Sequence, residues 1–228
     1  MRTILGVEVT PAIAESVGLL PVQLDDPNID LVDQCLTRWH GAARAVQHVD
    51  SWTPYRMVGW YEGGHGCMSG NQHPDHMGGR VTIFSSIDDP IGGADGFIHE
   101  SAHQKLHLLG MQLEEHDGTL ITNDCERRFF SPIRRDVLRP MSALIHGIYA
   151  WVHMLEIELA NDALPHLSLN VPKVRMGMQT IKEFVQPTEA GLKFLAEFYE
   201  WGDSLVQKGA LTLSAAGVAE LPVPGLGE

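Results

Sequence analysis

Residues 99–103 read His-Glu-Ser-Ala-His, a pattern that can hold a metal ion. Positions four apart in a helix share a face, so the imidazoles of His99 and His103 can reach one cation. Glu100 projects beside them, within reach of a metal-bound water. Phe97, Ile98, Leu106 and Leu109 in the surrounding GFIHESAHQKLHLLG make this a buried helix rather than a solvated one. Two ligands do not complete a catalytic centre, which needs a third protein ligand and open positions beside it. Downstream, His146, His153, Glu156 and Glu158 can each supply one. His146 sits beside an apolar stripe and precedes Gly147, which admits a close neighbour. His153 lies two turns further along the same face. His107 extends the His99–His103 face by another turn and reads as a supporting or structural residue.

Two further clusters carry possible chemistry. His65, His73 and His76 fall in the glycine-rich GGHGCMSGNQHPDHMGG, where the spacing fits no tight ligand set and a polar loop near the site is expected. Five of the 16 basic residues are Arg127, Arg128, Arg134, Arg135 and Arg139. Such a cluster is either a solvated turn or a clamp for a carboxylate, which a guanidinium binds with two parallel hydrogen bonds. Arg139 stands about two helical turns ahead of His146 and could hold an anionic cosubstrate near an ion.

The elements that must position these residues follow from periodicity and punctuation. Residues 29–49 carry Leu31, Cys35, Trp39, Ala42 and Val46 on one helical face. A short strand is expected at 56–61 and a better one at 81–85 (VTIFS), bounded by glycines and by Asp88-Asp89-Pro90. A helix should begin near 92–96 and end at Gly110, a suitable C-cap. Residues 112–136 read as turns with one strand at most. A second strong helix opens at Arg139-Pro140, runs through Ile145, Ile148, Val152, Leu155 and Leu159, and stops at Asn161, Asp162 and Pro165. Residues 174–184 and 188–208 also look helical, and 214–228 looks like a loose tail.

With 29 acidic and 16 basic residues in 228, the net charge is −13, which argues against nucleic acid or an anionic membrane as partner. Cys35, Cys67 and Cys125 form no CxxC pair, so neither a disulfide framework nor a thiolate zinc site is expected, and a reducing cytoplasm is. Glu8 and Glu15 interrupt what would be the apolar part of a signal peptide, and no apolar run is long enough to span a membrane. The apolar share of 44% suits a globular chain. The expected fold is a single domain over 1–228, mainly α with a small β element: a zincin-like metal-binding helix pair preceded by a short strand, with its core motifs in 81–159.

GFIHESAHQKLHLL followed by RRFFSPIRRDVLRPMSALIHGIYAW resembles the HExxH-motif peptide-modification family, the 2-oxoglutarate-dependent HExxH-type peptide β-hydroxylases. The family elements stand here as His99, Glu100, His103, Lys105 and Leu106, then Ser131, Pro132 and Arg134, then Arg139 and Pro140, then His146 and Gly147. The similarity is ordered and covers residues 81–159, about a third of the chain. It implies iron(II) held by His99, His103 and His146, and 2-oxoglutarate bound with its carboxylate on Arg139 or Arg134. It also implies hydroxylation of a side-chain β-carbon in a ribosomally made precursor peptide. Many relatives carry a larger N-terminal region, so peptide recognition here is expected to differ or to use a leader-recognition or other partner protein.

The residues by themselves suit iron and zinc alike. With zinc the chain would be a metallopeptidase, Glu100 serving as general base. That reading leaves Arg134 and Arg139 without a role. A non-catalytic peptide-binding module is a third reading, which has no need of the intact HExxH. With iron or with zinc, the strand at 81–85 could pair with an extended peptide by strand addition.

Overall fold

A computed structural model describes residues 2–12, 18–59, 67–72, 80–111, 119–134 and 137–225. It is mixed α/β, with about half of these residues helical and one small sheet. Among them no helix is long and apolar enough to cross a membrane. The expected single domain divides into two compact units: residues 1–104 with 156–163, and residues 105–155 with 164–228.

The first unit holds the sheet, which is larger than the short β element read from the sequence. Its strands are β1 (Thr3–Ile4), β2 (Val7–Val9), β3 (Leu19–Pro21), β4 (Ser51–Met57), β5 (Ser69–Gln72) and β6 (Thr82–Ser86), in the order β1-β2-β4-β6-β5 with β3 also on β4. β4 runs parallel to β2 and β6, whereas β5 is antiparallel to β6. β6 therefore has partners on both sides, and the strand addition expected at 81–85 has no open edge there. β4 begins five residues before the expected strand and contains Pro54, which argues against a central strand from sequence. The structure shows how it is tolerated. The Trp52 carbonyl accepts from Thr10 N on the β2 side, and the Tyr55 carbonyl accepts from Ile87 N on the β6 side. By that alternation the missing N–H of Pro54 faces the side where β2 pairs only with residues 51–52 and β3 only with 55–57. No ladder bond is lost.

Helix α1 (Pro27–Thr37) starts behind Asp26, whose side chain accepts from Asn28 N and is gripped by Arg56 at 2.8 and 3.0 Å. The helix expected over 29–49 breaks into α1 and the short α2 (Ala42–Ala45); between them the Trp39 ring occupies the space a side chain at Gly41 would need. Helix α3 (Pro90–Leu108) starts earlier than expected. Pro90 has a φ already suited to a first helical turn, and the Asp89 carboxylate accepts from Ile91 N at 3.1 Å. It ends as expected: Gly110 has φ +86° and donates to His107 O, while Met111 N donates to Leu106 O. The core of this unit gathers Trp52, Ile83, Ile87, Phe97 and Ile98 with Ile29, Val32, Leu36 and Ile157.

The second unit is built on helices. Helix α4 (Met141–Ala160) matches the expected second strong helix, its last residues belonging to the first unit. Helix α5 (Leu164–Phe184) begins ten residues before the expected 174, since Pro165 lies in its first turn, where the absent N–H has no helical acceptor to miss. Helix α6 (Glu189–Ala215) is capped by Thr188, whose hydroxyl accepts from Gly191 N. The tail expected to be loose begins with the end of α6 and is tied down at residues 220 and 221. Arg175 holds Glu220 with two contacts at 2.5 and 2.7 Å, and Leu221 N donates to Ser168 O.

Gly96 places α3 against the sheet. A Cβ there would fall 2.5 Å from Cys67 Sγ, 3.0 Å from Ser69 Cβ and 3.1 Å from Ser85 Cβ. Gly96→Ala should therefore lower stability by about 1–3 kcal/mol, the usual cost of overpacking. Urea unfolding at pH 7 checks this; an unchanged midpoint would show that α3 can back away from the sheet.

Candidate metal centre

His99, Glu100 and His103 all lie on α3 within the first unit. The Nε2 atoms of His99 and His103 are 3.0 Å apart, with the rings edge to face and their centroids 4.6 Å apart. With metal–nitrogen bonds of about 2.0–2.1 Å, two ligands of one ion stand roughly 3 Å apart, so this pair fits a shared cation. His99 keeps part of its surface exposed, yet burial pushes its pKa below the ordinary histidine value, partly offset by the charge of Glu100. That favours the neutral imidazole, the form a metal binds.

Glu100 is buried, and both its oxygens are held from β5. Ser69 Oγ donates to Oε1 at 2.8 Å and Asn71 Nδ2 donates to Oε2 at 2.5 Å. Asn71 Oδ1 in turn accepts from Gln104 Nε2 at 3.0 Å. Burying a carboxylate is tolerable when it is hydrogen-bonded, and this one is paired at each oxygen. Gln104 is legible in hindsight, since it stands one turn beyond Glu100 on the same helical face. Ser69 and Asn71 lie about thirty residues upstream, in a segment whose apparent signal was its histidines. His65, His73 and His76 themselves lie outside the described residues.

A second acidic feature of this unit joins Glu158, one of the downstream candidates, to Asp95, which went unread in the sequence. Asp95 on α3 and Glu158 at the end of α4 are both buried, with carboxylate oxygens within 4.8 Å. Two carboxylates this close in a buried setting favour sharing a proton or a cation over carrying two charges. Asp95 sits one turn before His99 on α3, a spacing that could have drawn notice. Glu156 is only half-buried.

The remaining candidates belong to the second unit. His146 is fully buried, its ring 5.0 Å from that of His107, and its Nε2 donates to Met111 O at 2.7 Å. The neighbour admitted by Gly147 is a side chain, Ile133. His153 donates from Nδ1 to Tyr149 O at 2.9 Å, its Nε2 lies 3.4 Å from Lys105 Nζ, and Tyr149 and Trp201 meet its ring edge to face. Arg139 is half-buried, its backbone fixed by a two-bond bridge to Phe129, whereas Arg134 is exposed in a turn held by Ser131 Oγ. Arg127 covers the faces of Phe129 and Phe184, a packing role. Arg135 lies outside the described residues.

No protein-family model matches this chain, and no curated protein matches it.

Burial pushes the pKa of His146 down to about 4, and the neighbouring His107 adds to the shift. A depressed histidine pKa means that the unfolded chain takes up the proton first. The resulting stability is therefore present above about pH 6.5 and is lost as pH falls toward 4. Between pH 7 and pH 5 the metal-free protein should lose about 2 kcal/mol through this residue. The loss should be absent from His146→Leu, which checks it by urea titration at the two pH values with a chelator present.

Proposed function

We propose that this protein is an iron(II)- and 2-oxoglutarate-dependent hydroxylase acting on a side-chain β-carbon of a ribosomally synthesised peptide. Two imidazoles whose Nε2 atoms converge to 3.0 Å suit a divalent ion. The observation that carries the choice of chemistry is the anchoring of Glu100 at both oxygens by Ser69 and Asn71. A carboxylate tied down in this way is better suited to orienting ligands than to shuttling a proton, which is what a peptidase asks of its HExxH glutamate.

Iron(II) with 2-oxoglutarate supplies dioxygen activation, with succinate and carbon dioxide as co-products. The chain's own contribution is to present two nitrogen ligands from one rigid helix face, and to hold Glu100 beside them. The resemblance to the peptide β-hydroxylases supplies His146 as third ligand and Arg139 or Arg134 as carboxylate partner. Of the two arginines, Arg139 has the fixed backbone that a bidentate grip favours.

A zinc metallopeptidase is the second reading, favoured by the strand pattern. Its support is the strand β6 that leads into α3, with β5 as its antiparallel partner.

Anaerobic addition of iron(II) and 2-oxoglutarate to the metal-free protein should produce a visible charge-transfer band. His99→Ala, His103→Ala and His146→Ala should each remove it. Arg139→Ala should keep the metal but raise the 2-oxoglutarate needed for half-saturation about tenfold or more, as loss of a charge-assisted pair implies. An unchanged requirement would move the role to Arg134. Absence of the band, together with tight zinc and cleavage of a generic peptide, would replace the hydroxylase by the peptidase.

A further inference from the structure

We infer that Asn71 is a positioning residue that fixes the orientation of the Glu100 carboxylate beside the His99–His103 pair, and that Gln104 locks Asn71 in the required sense. This rests on the reading of that pair as a metal centre.

The direction of each hydrogen bond follows from charge. The Asn71 amide nitrogen donates to Glu100 Oε2 at 2.5 Å. Its other end must then be the carbonyl oxygen, which needs a donor, and Gln104 Nε2 supplies one at 3.0 Å. Turning the Asn71 amide over would set oxygen against the Glu100 carboxylate and nitrogen against the Gln104 nitrogen. Both contacts would be repulsive, so one orientation is selected. Ser69 fixes the other carboxylate oxygen, and because it stands two residues from Asn71 on β5, both reach the same side of the strand.

Gln104 and Glu100 are also one turn apart on a single helix face. Strand and helix thus meet through one connected chain, Gln104 to Asn71 to Glu100 to Ser69. Its two inner members are held from both sides. Glu100 follows His99 directly on α3, which places this network next to the proposed ligands. Groups that orient residues around a metal commonly affect its binding about 10–100-fold.

Cobalt(II), added to the full-length metal-free protein and followed by visible absorption, tests the inference without any substrate. Asn71→Asp keeps the shape of the side chain but replaces the donor with an acceptor. It should weaken cobalt binding about tenfold or more and change the visible envelope. Gln104→Leu keeps the Asn71–Glu100 bond but removes the lock, and should change both readouts in the same direction by less. It also provides the answer if Asn71→Asp fails to fold, and thermal melting monitors folding in each case. A purely structural role would lower the melting temperature without moving the spectrum of the bound metal. Folded variants with wild-type cobalt affinity and spectrum would overturn the positioning role, provided His99→Ala still abolishes binding. If His99→Ala and His103→Ala bind cobalt as the wild type does, the metal-centre reading itself fails, and the positioning role with it.

Discussion

The buried carboxylate of Glu100 sets the register of α3 against the sheet. Taking that group out of water is costly unless each oxygen finds a donor, and β5 supplies both, through Ser69 and Asn71. The donors are within reach because Gly96, one turn earlier, lets the helix lie close to Cys67, Ser69 and Ser85. Turning α3 by one residue would carry the carboxylate about 100° away from its donors and push a side chain into the space left at Gly96. The face holding positions 96, 100 and 104 is therefore committed to the sheet. His99 and His103 stand beside it, with their Nε2 atoms together. A packing constraint on one face thus determines the geometry of the two histidines on the next.

The sheet is arranged to provide this support. β4 lies at its centre, with β2 and β3 sharing one of its sides and β6 along the other, so the strand leading into α3 is buried in the ladder. Trp52 on β4 donates from its indole nitrogen to Ser85 Oγ, which donates onward to Gly93 O at the start of α3. A hydrogen-bonded path therefore runs from the middle of the sheet into the helix that carries the histidines. Arg56 adds a partly exposed tie: it reaches Asp26 at the start of α1 and Asp88 just before α3. Partial exposure screens such pairs, so they matter more for placement than for stability.

What was legible in the sequence follows the range of the interactions. The long helices declared themselves through 3.6-residue periodicity, and the Gly110 terminus through glycine's access to positive φ. The expected order of a strand followed by the HExxH helix also stands, as β6 and α3. Short strands did not declare themselves. β1, β2, β3 and β5 have two to four residues each, too few for alternation to register, and they exist because distant partners complete their ladders. Prolines misled twice: Pro165 read as a stop but lies in the first turn of α5, and Pro54 obscured a strand that accommodates it. Ser69 and Asn71 could not be found by spacing, since their relation to Glu100 comes from how the chain folds back.

The two buried histidines of α4, His146 and His153, differ in which ring nitrogen carries the proton. A backbone carbonyl only accepts, so the ring nitrogen facing it carries the proton. In His153 that nitrogen is Nδ1, bonded to Tyr149 O, and the lone pair on Nε2 faces the Lys105 ammonium at 3.4 Å. A metal ion there would have to displace or neutralise a cation in surroundings lined by Tyr149 and Trp201. In His146 the protonated nitrogen is Nε2, anchored on Met111 O, which puts the lone pair on Nδ1. A ring held through one nitrogen by a carbonyl is the usual support for a ligand that coordinates through the other. Burial adds to the difference, because it keeps His146 neutral down to about pH 4. Tautomer, burial and neighbouring charge thus give two histidines on one helix different chemistry: His146 is a neutral ring anchored on a carbonyl, whereas His153 faces an ammonium.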